Sequence, residues 1–186
     1  YIAEAGHKVL LVDFDPQANL SSAVGADAQA PGIYEAITSD TPLPDLYQST
    51  SVSNLTVISS GINLTGANVE LVDQQDRALY LKRALAPVKE QFDFIFVDCP
   101  PSPGILTLNG LVAADNVIIP LQCEYFAMEG LTQLIKIIKK VMVATDGRLT
   151  FGGILLTMYD PGLELTREVD QEVREFFGDI VFESVV

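Results

Sequence analysis

The sequence predicts an α/β fold, a mostly parallel sheet with helices on both faces. Three observations predict it. Strand-length apolar runs rich in Val, Ile and Phe recur along the chain with little period-two alternation, as in strands covered on both sides. Helix-like segments separate them, so the order reads strand, helix, strand, helix. Several runs end on polar or acidic residues, where such sheets bind ligands beyond the carboxyl ends of their strands.

The opening "YIAEAGHK" reads as the last turns of a helix, with Gly6 as its C-cap and His7–Lys8 leading into a strand. Val9–Val12 is the first strand. Asp40–Ser53 reads as loop, with Pro42, Pro44 and several Ser and Thr. The further strands are Leu55–Ser59, Phe92–Val97, Asn116–Leu121, Gly153–Leu156 and Ile180–Phe182. The helices are Ile33–Thr38, Gly66–Leu85, Ile105–Ala113, Ala127–Thr145 and Glu164–Phe177. The chain is read as one domain over residues 1–186, enough for a sizeable core. Without an initiator Met, and with a final strand that lacks a following element, both ends read as cut from a longer chain.

A net charge of −14 does not advertise a nucleic-acid surface. The two cysteines, Cys99 and Cys123, form no metal-binding spacing and fit a reducing cytosol better than a disulfide framework. No stretch reads as a signal peptide or membrane span, because the apolar helix Leu131–Ala144 is interrupted by Lys136, Lys139 and Lys140. The sole histidine, His7, reads as a surface residue of a helix-to-strand turn.

Chemistry concentrates at strand ends. "FDFIFVD" places Asp98 after an apolar strand, the pattern of a Walker B aspartate that holds Mg²⁺. The same pattern also suits a strand-end cap or turn residue. "VLLVDFDPQ" ends a strand on Asp13 and Asp15. Helix capping, with Pro16 at the first helical position, accounts for Asp15 but leaves Asp13 unexplained. "GINLTG", Gly61–Gly66, has phosphate-loop glycine spacing but is followed by Ala67–Asn68 rather than Lys and Ser/Thr, so it reads as a plain loop.

Together, "VLLVDFDPQANLSSAVG", "FDFIFVDCPPSPGILTLNGLVAAD" and "IIPLQCEYFAMEGLTQLIKII" resemble the ParA (Soj-type) partitioning ATPases, of the deviant-Walker P-loop class that includes MinD. The likeness continues through "GGILLTMYD" and "EVREFFGDIVFESVV". It implies a doubly wound P-loop NTPase fold whose phosphate loop, of the form KGGxGKT, precedes Tyr1 by no more than one βα unit of about 30 residues. It also implies a segment after Val186 that helps hold the adenine.

The resemblance implies ATP and Mg²⁺ as ligands. Asp15 would position the attacking water, Asp13 would stand behind the metal, and Asp98 would hold Mg²⁺ through water. Gln17, Ser102 and Gly104 join Asp13 as nucleotide-site candidates. Cys99–Gly104 would be the switch that reports the γ-phosphate, stiffened here by Pro103. Gln122–Leu131 would lie near a nucleotide-dependent dimer interface, with core packing the alternative for Phe126 and Met128. The implied function is partitioning of a chromosome, plasmid or large cargo by a cytoplasmic, ATP-dependent homodimer with a ParB-like activator. Residues 1–186 alone are expected to be inactive.

Nonspecific DNA binding, with nucleoid association, is a family expectation. It is weakened by the acidic charge and by Gly162, where many relatives carry Arg. Arg167, Arg174 and the Lys136/Lys139/Lys140 face remain, and that cluster reads as a solvated helix face ahead of a DNA patch. Alternatives within the superfamily are a MinD-like membrane-associated positioning ATPase and a nitrogenase-iron-protein-like reductase component. A catalytically silent adaptor is disfavoured by the presence of Asp13, Asp15 and Asp98.

Overall fold

A computed structural model describes residues 1–124 and 127–186. The chain divides into two compact units, Tyr1–Ala114 and Asp115–Val186. Of the residues expected near a dimer interface, Tyr125 and Phe126 lie outside the described residues, and so does the side chain of Met128.

In the first unit, Tyr1–Gly6 forms a helical turn, the Ala5 N–H donating to the Tyr1 carbonyl. Gly6 closes it at φ +99°, the left-handed cap expected of glycine. Strand β1 (Val9–Asp13) follows, buried along nearly its whole length. After it come α1 (Asn19–Ala23), α2 (Ile33–Thr38), β2 (Gln48–Ser49), β3 (Leu55–Ile58), α3 (Leu64–Glu70), α4 (Tyr80–Leu85), β4 (Phe94–Asp98) and α5 (Ile105–Ala113). The sheet order is β2-β3-β1-β4. β1 pairs in parallel with β3, from Val9↔Leu55 to Val12↔Ile58, and with β4, from Val9↔Phe94 to Asp13↔Asp98. All three carboxyl ends therefore lie along one edge. Only β2, inside the expected loop, runs antiparallel.

Leu10, Val12 and Phe14 from β1 and its end meet Ile33, Leu64 and Leu106 from three helices in a single core. This explains the missing alternation in β1, which is apolar on both faces. β4 differs from the expectation: its exposure alternates, with Phe94 and Phe96 stacked on an open face. Only one face of β4 is covered within this unit.

The expected single helix Gly66–Leu85 is two. Asp76 adopts φ 61° and breaks the run, and its carboxylate then pairs with Arg83 at 2.7 Å. Asn109 of α5 is fully buried and bridges this break, accepting from the Leu81 N–H at 3.3 Å and donating to the Arg77 carbonyl at 2.7 Å. A buried amide satisfied in this way ties α5 to the start of α4.

The second unit holds β5 (Asn116–Gln122), α6 (Ala127–Ala144), β6 (Thr150–Thr157), α7 (Glu164–Phe177) and β7 (Val181–Val185). Its sheet, β5-β6-β7, is wholly parallel. Leu131, Ile138 and Val141 of α6 are buried, while Lys136, Lys139 and Lys140 are exposed, a plain amphipathic pattern. No described helix is long and apolar enough to cross a membrane.

Gly32 sits where α2 begins. The next N–H, of Ile33, bonds the Ser59 carbonyl at 2.9 Å, drawing the end of β3 onto the helix. A Cβ on Gly32 would fall inside that carbonyl oxygen. Gly32→Ala is expected to destabilise the protein by about 1–3 kcal/mol through backbone displacement. Urea unfolding measures this, and an unchanged midpoint would contradict the packing described.

Candidate nucleotide site

The site begins with Asp13, which is completely buried. Its Oδ2 accepts from the Ser21 N–H at 2.8 Å and from the Ser21 hydroxyl at 2.6 Å, and its Oδ1 accepts from the Asp15 N–H at 3.2 Å. Ser21 is the third residue of α1, so its N–H is one of the helix's unpaired donors. Ala18, the residue before α1, has no side-chain oxygen to cap with and sits at φ 54°. Asp13 therefore caps α1 from the end of the neighbouring strand. The Ser21 hydroxyl also accepts from the Ser60 N–H at 3.0 Å, which brings in the segment after β3.

This reverses the capping expected of the pair. Asp15 does not begin the helix. Its carbonyl accepts from the Ala18 N–H and its Oδ1 from the Gln17 N–H at 3.0 Å, so Asp15–Pro16–Gln17 is a turn ahead of α1. Capping thus accounts for Asp13, and Asp15 is held by the turn instead.

Asp98 stands beside Asp13 in the parallel register, and its carbonyl accepts from the Phe14 N–H at 2.8 Å. Its carboxylate makes no hydrogen bond among the described residues. Partial dehydration, then the charges of Asp13 and Asp15, raise its pKa above the usual carboxylate value. The next residue, Cys99, buries its thiol against α5 at Gly110, where any Cβ would collide with the sulfur. Burial, then Asp98 and Asp15, push that thiol up to about 12, so it stays protonated and unreactive.

Asp15, Gln17, Ser102 and Gly104 line one cleft of about 280 Å³. Asp13 and Asp98 stand at adjoining strand ends and are not among its walls. The structure thus gathers all six predicted residues at one edge of the first unit. Sequence reasoning missed Thr65 and Asn68 of α3, which form another wall. Their signal was available: α3 follows β3, whose carboxyl end lies on the same edge. "GINLTG", read as loop, supplies the first turn of this helix at Leu64–Gly66.

The second unit has its own strand-end cluster. Cys123 is buried after β5, and the Tyr159 hydroxyl donates to Asp170 at 2.9 Å, the same carboxylate that pairs with Arg174. Burial, then Asp170, raise the Cys123 thiol. Gly162, at the expected DNA-contact position, donates its N–H to Asp160 in a tight turn.

The cleft's proline-bearing loop and the acidic strand ends lie at the carboxyl edge of a parallel α/β sheet, and residues 1–151 match a family of AAA domains, AAA_31. All of the chain aligns with the chromosome-partitioning ATPase Soj of Treponema pallidum at 52% identity, covering 73% of that protein. It aligns in full with the sporulation initiation inhibitor protein Soj of Bacillus subtilis at 44% identity, covering 74% of it. Among solved structures, cobyrinic acid a,c-diamide synthase from Mycobacterium smegmatis with bound ADP and magnesium superposes at a TM-score of 0.89. That match has 37% identity and spans 95% of this chain and 73% of the other. The chain belongs to the ParA/Soj family of partitioning ATPases.

Because Asp98 ionises reluctantly in the folded state, its charge is a cost at neutral pH. Nucleotide-free Asp98→Asn protein should be more stable than the parent at pH 7. The gain should shrink as pH falls toward the ordinary carboxylate value of 3.8, and vanish below it. Urea midpoints across that range test this; equal midpoints at pH 7 would contradict it.

Proposed function

We propose that this chain carries the hydrolytic half of an ATP·Mg²⁺ site that drives partitioning of a chromosome, plasmid or other large cargo. The observation that carries the reading is the division of labour among the aspartates. Asp13 is consumed by capping, while Asp15 is left on the cleft wall and Asp98 is left without a protein partner. Mg²⁺ keeps several waters and takes few protein carboxylates, which suits a single unpaired Asp98 better than a closed cage. The described residues contain no cluster of three or more such ligands. When bound, the metal would neutralise phosphate charge, and it would also relieve the repulsion that raises the Asp98 pKa.

In this reading Asp15 accepts a hydrogen bond from the attacking water and orients it, fixed by its turn to Gln17. The N–H groups of Ser102 and Gly104 find no protein acceptor among the described residues, so both are free to donate to a phosphate oxygen. Pro100, Pro101 and Pro103 offer no N–H, which removes three other donors from the loop. Thr65 and Asn68 supply further polar groups to the same cleft, Asn68 close beside Gly104. An ATP-dependent homodimer, a ParB-like activator, a cytoplasmic location and a weak nonspecific DNA contact belong to the same proposal, on the strength of the family.

Among the described residues, no lysine or arginine lines the cleft. A triphosphate beside Asp15 needs opposing positive charge, so residues 1–186 alone are expected to show no turnover. In the full-length protein, Asp15→Ala should lower kcat by about 100-fold or more and leave ATP affinity within about 3-fold. Steady-state hydrolysis and equilibrium binding measure the two. Loss of binding with unchanged kcat per bound nucleotide would refute the assigned role, as would robust turnover by residues 1–186.

A further inference from the structure

One hydroxyl reaches two carbonyls of the loop between β4 and α5. Pro100, Pro101 and Pro103 remove three of its six backbone donors, and of the remaining N–H groups those of Ser102 and Gly104 bond no described protein group. The loop's carbonyls are gripped instead from the helix that follows. Thr107, buried in the first turn of α5, reaches the Ser102 carbonyl at 2.7 Å and the Pro100 carbonyl at 3.3 Å. A hydroxyl carries one proton, so it donates to one carbonyl at a time, and the shorter contact marks Ser102 as the holder at rest.

The platform beneath this latch is rigid. Two residues further on, Asn109 is fully buried and bonded to both Arg77 and Leu81, and Gly110 receives the Cys99 thiol without space for a methyl group. α5 is thus pinned to the start of α4 and to the residue after β4, leaving the hydroxyl of Thr107 as the loop's side-chain tether.

We propose that Thr107 is a positioning residue for the hydrolytic step: its hydroxyl holds the Pro100–Ser102 backbone so that the Ser102 and Gly104 N–H groups stay in the wall of the cleft that Asp15 also lines. Thr107 is not a lining residue of the cleft and acts only through the loop. The inference rests on the ATP-hydrolysing reading given above. It predicts an effect on rate that is separate from nucleotide affinity, since donors that are misplaced in the transition state lower kcat first.

The test is a series in the full-length protein: Thr107→Ser keeps the hydroxyl, Thr107→Cys keeps a weak donor, and Thr107→Val keeps the shape without a donor. The latch requires kcat to fall in the order Ser, Cys, Val. Val should lose about 10-fold or more, Ser should stay within about 3-fold of the parent, and ATP affinity should change by less than about 3-fold throughout. In the nucleotide-free protein, backbone ¹⁵N order parameters at Ser102 and Gly104 should drop below about 0.6 for Val and remain near the parent value for Ser. If Val does not fold, the Cys variant carries the comparison. Unchanged kcat in Val or Cys, or unchanged loop order parameters, overturns the proposal. A parent protein that hydrolyses no ATP removes the ATPase reading instead, and the order parameters still decide whether Thr107 holds the loop.

Discussion

The buried carboxylate of Asp13 holds the site together. An ionised group taken wholly out of water is costly unless its lone pairs are met by donors. Here three donors from two residues meet them: the Ser21 N–H, the Ser21 hydroxyl and the Asp15 N–H. Each bond fixes a different part of the edge. The Ser21 bonds dock α1 against the end of β1, and the Asp15 bond sets the turn that follows. The Ser60 N–H, bonded to the same hydroxyl, draws in the end of β3. Charge-assisted bonds of this kind are shorter and stronger than neutral ones, and burial strengthens them further.

This arrangement leaves a deficit of positive charge beside it. Asp15 and Asp98 remain close to Asp13 with no cation among the described residues that line the cleft, and the field of these carboxylates adds to burial at their neighbours. Burial first, and these charges second, push Asp98 toward its neutral form and keep the Cys99 thiol protonated. A site that is internally satisfied at one carboxylate and strained at the next is suited to a complex that brings a metal cation to it. The rigid α5, locked by Asn109 and Gly110, carries the loop that meets such a complex from the other side.

Much of this was legible in the residues. The strand ends at Asp13 and Asp98 were visible because an apolar run that stops on a charge is conspicuous, and the parallel register then places them side by side. The helix Ile105–Ala113 was read to its ends, since Gly104 and the preceding prolines mark its start. Roles within the aspartate pair were less legible. Local capping rules favoured Asp15 because it precedes a proline, whereas the cap comes from Asp13 across a turn held by Ala18 at φ 54°. Long-range side-chain capping leaves no fixed spacing in sequence. The break at Asp76 was hidden for a similar reason: a left-handed aspartate resembles an ordinary polar helix residue until Arg83 and Asn109 are seen around it. Thr65 escaped notice because its helix was placed two residues too late, and Asn68, inside the expected helix, because nothing in the sequence marks which helix face meets the strand ends. The open face of β4 could not be read at all, since Phe94 and Phe96 are as apolar as buried strand residues.

The central claim is that a metal–triphosphate complex is held at the carboxyl edge of β1 and β4, against the loop that leads into α5. Hydrogen–deuterium exchange of the full-length protein, with and without a nonhydrolysable ATP analogue and Mg²⁺, tests it most directly. The account predicts new protection in residues 15–21 and 98–108, dependent on both analogue and metal, with residues 164–177 unchanged. Protection confined to other segments, or protection of the 98–108 segment by the analogue without Mg²⁺, would contradict it.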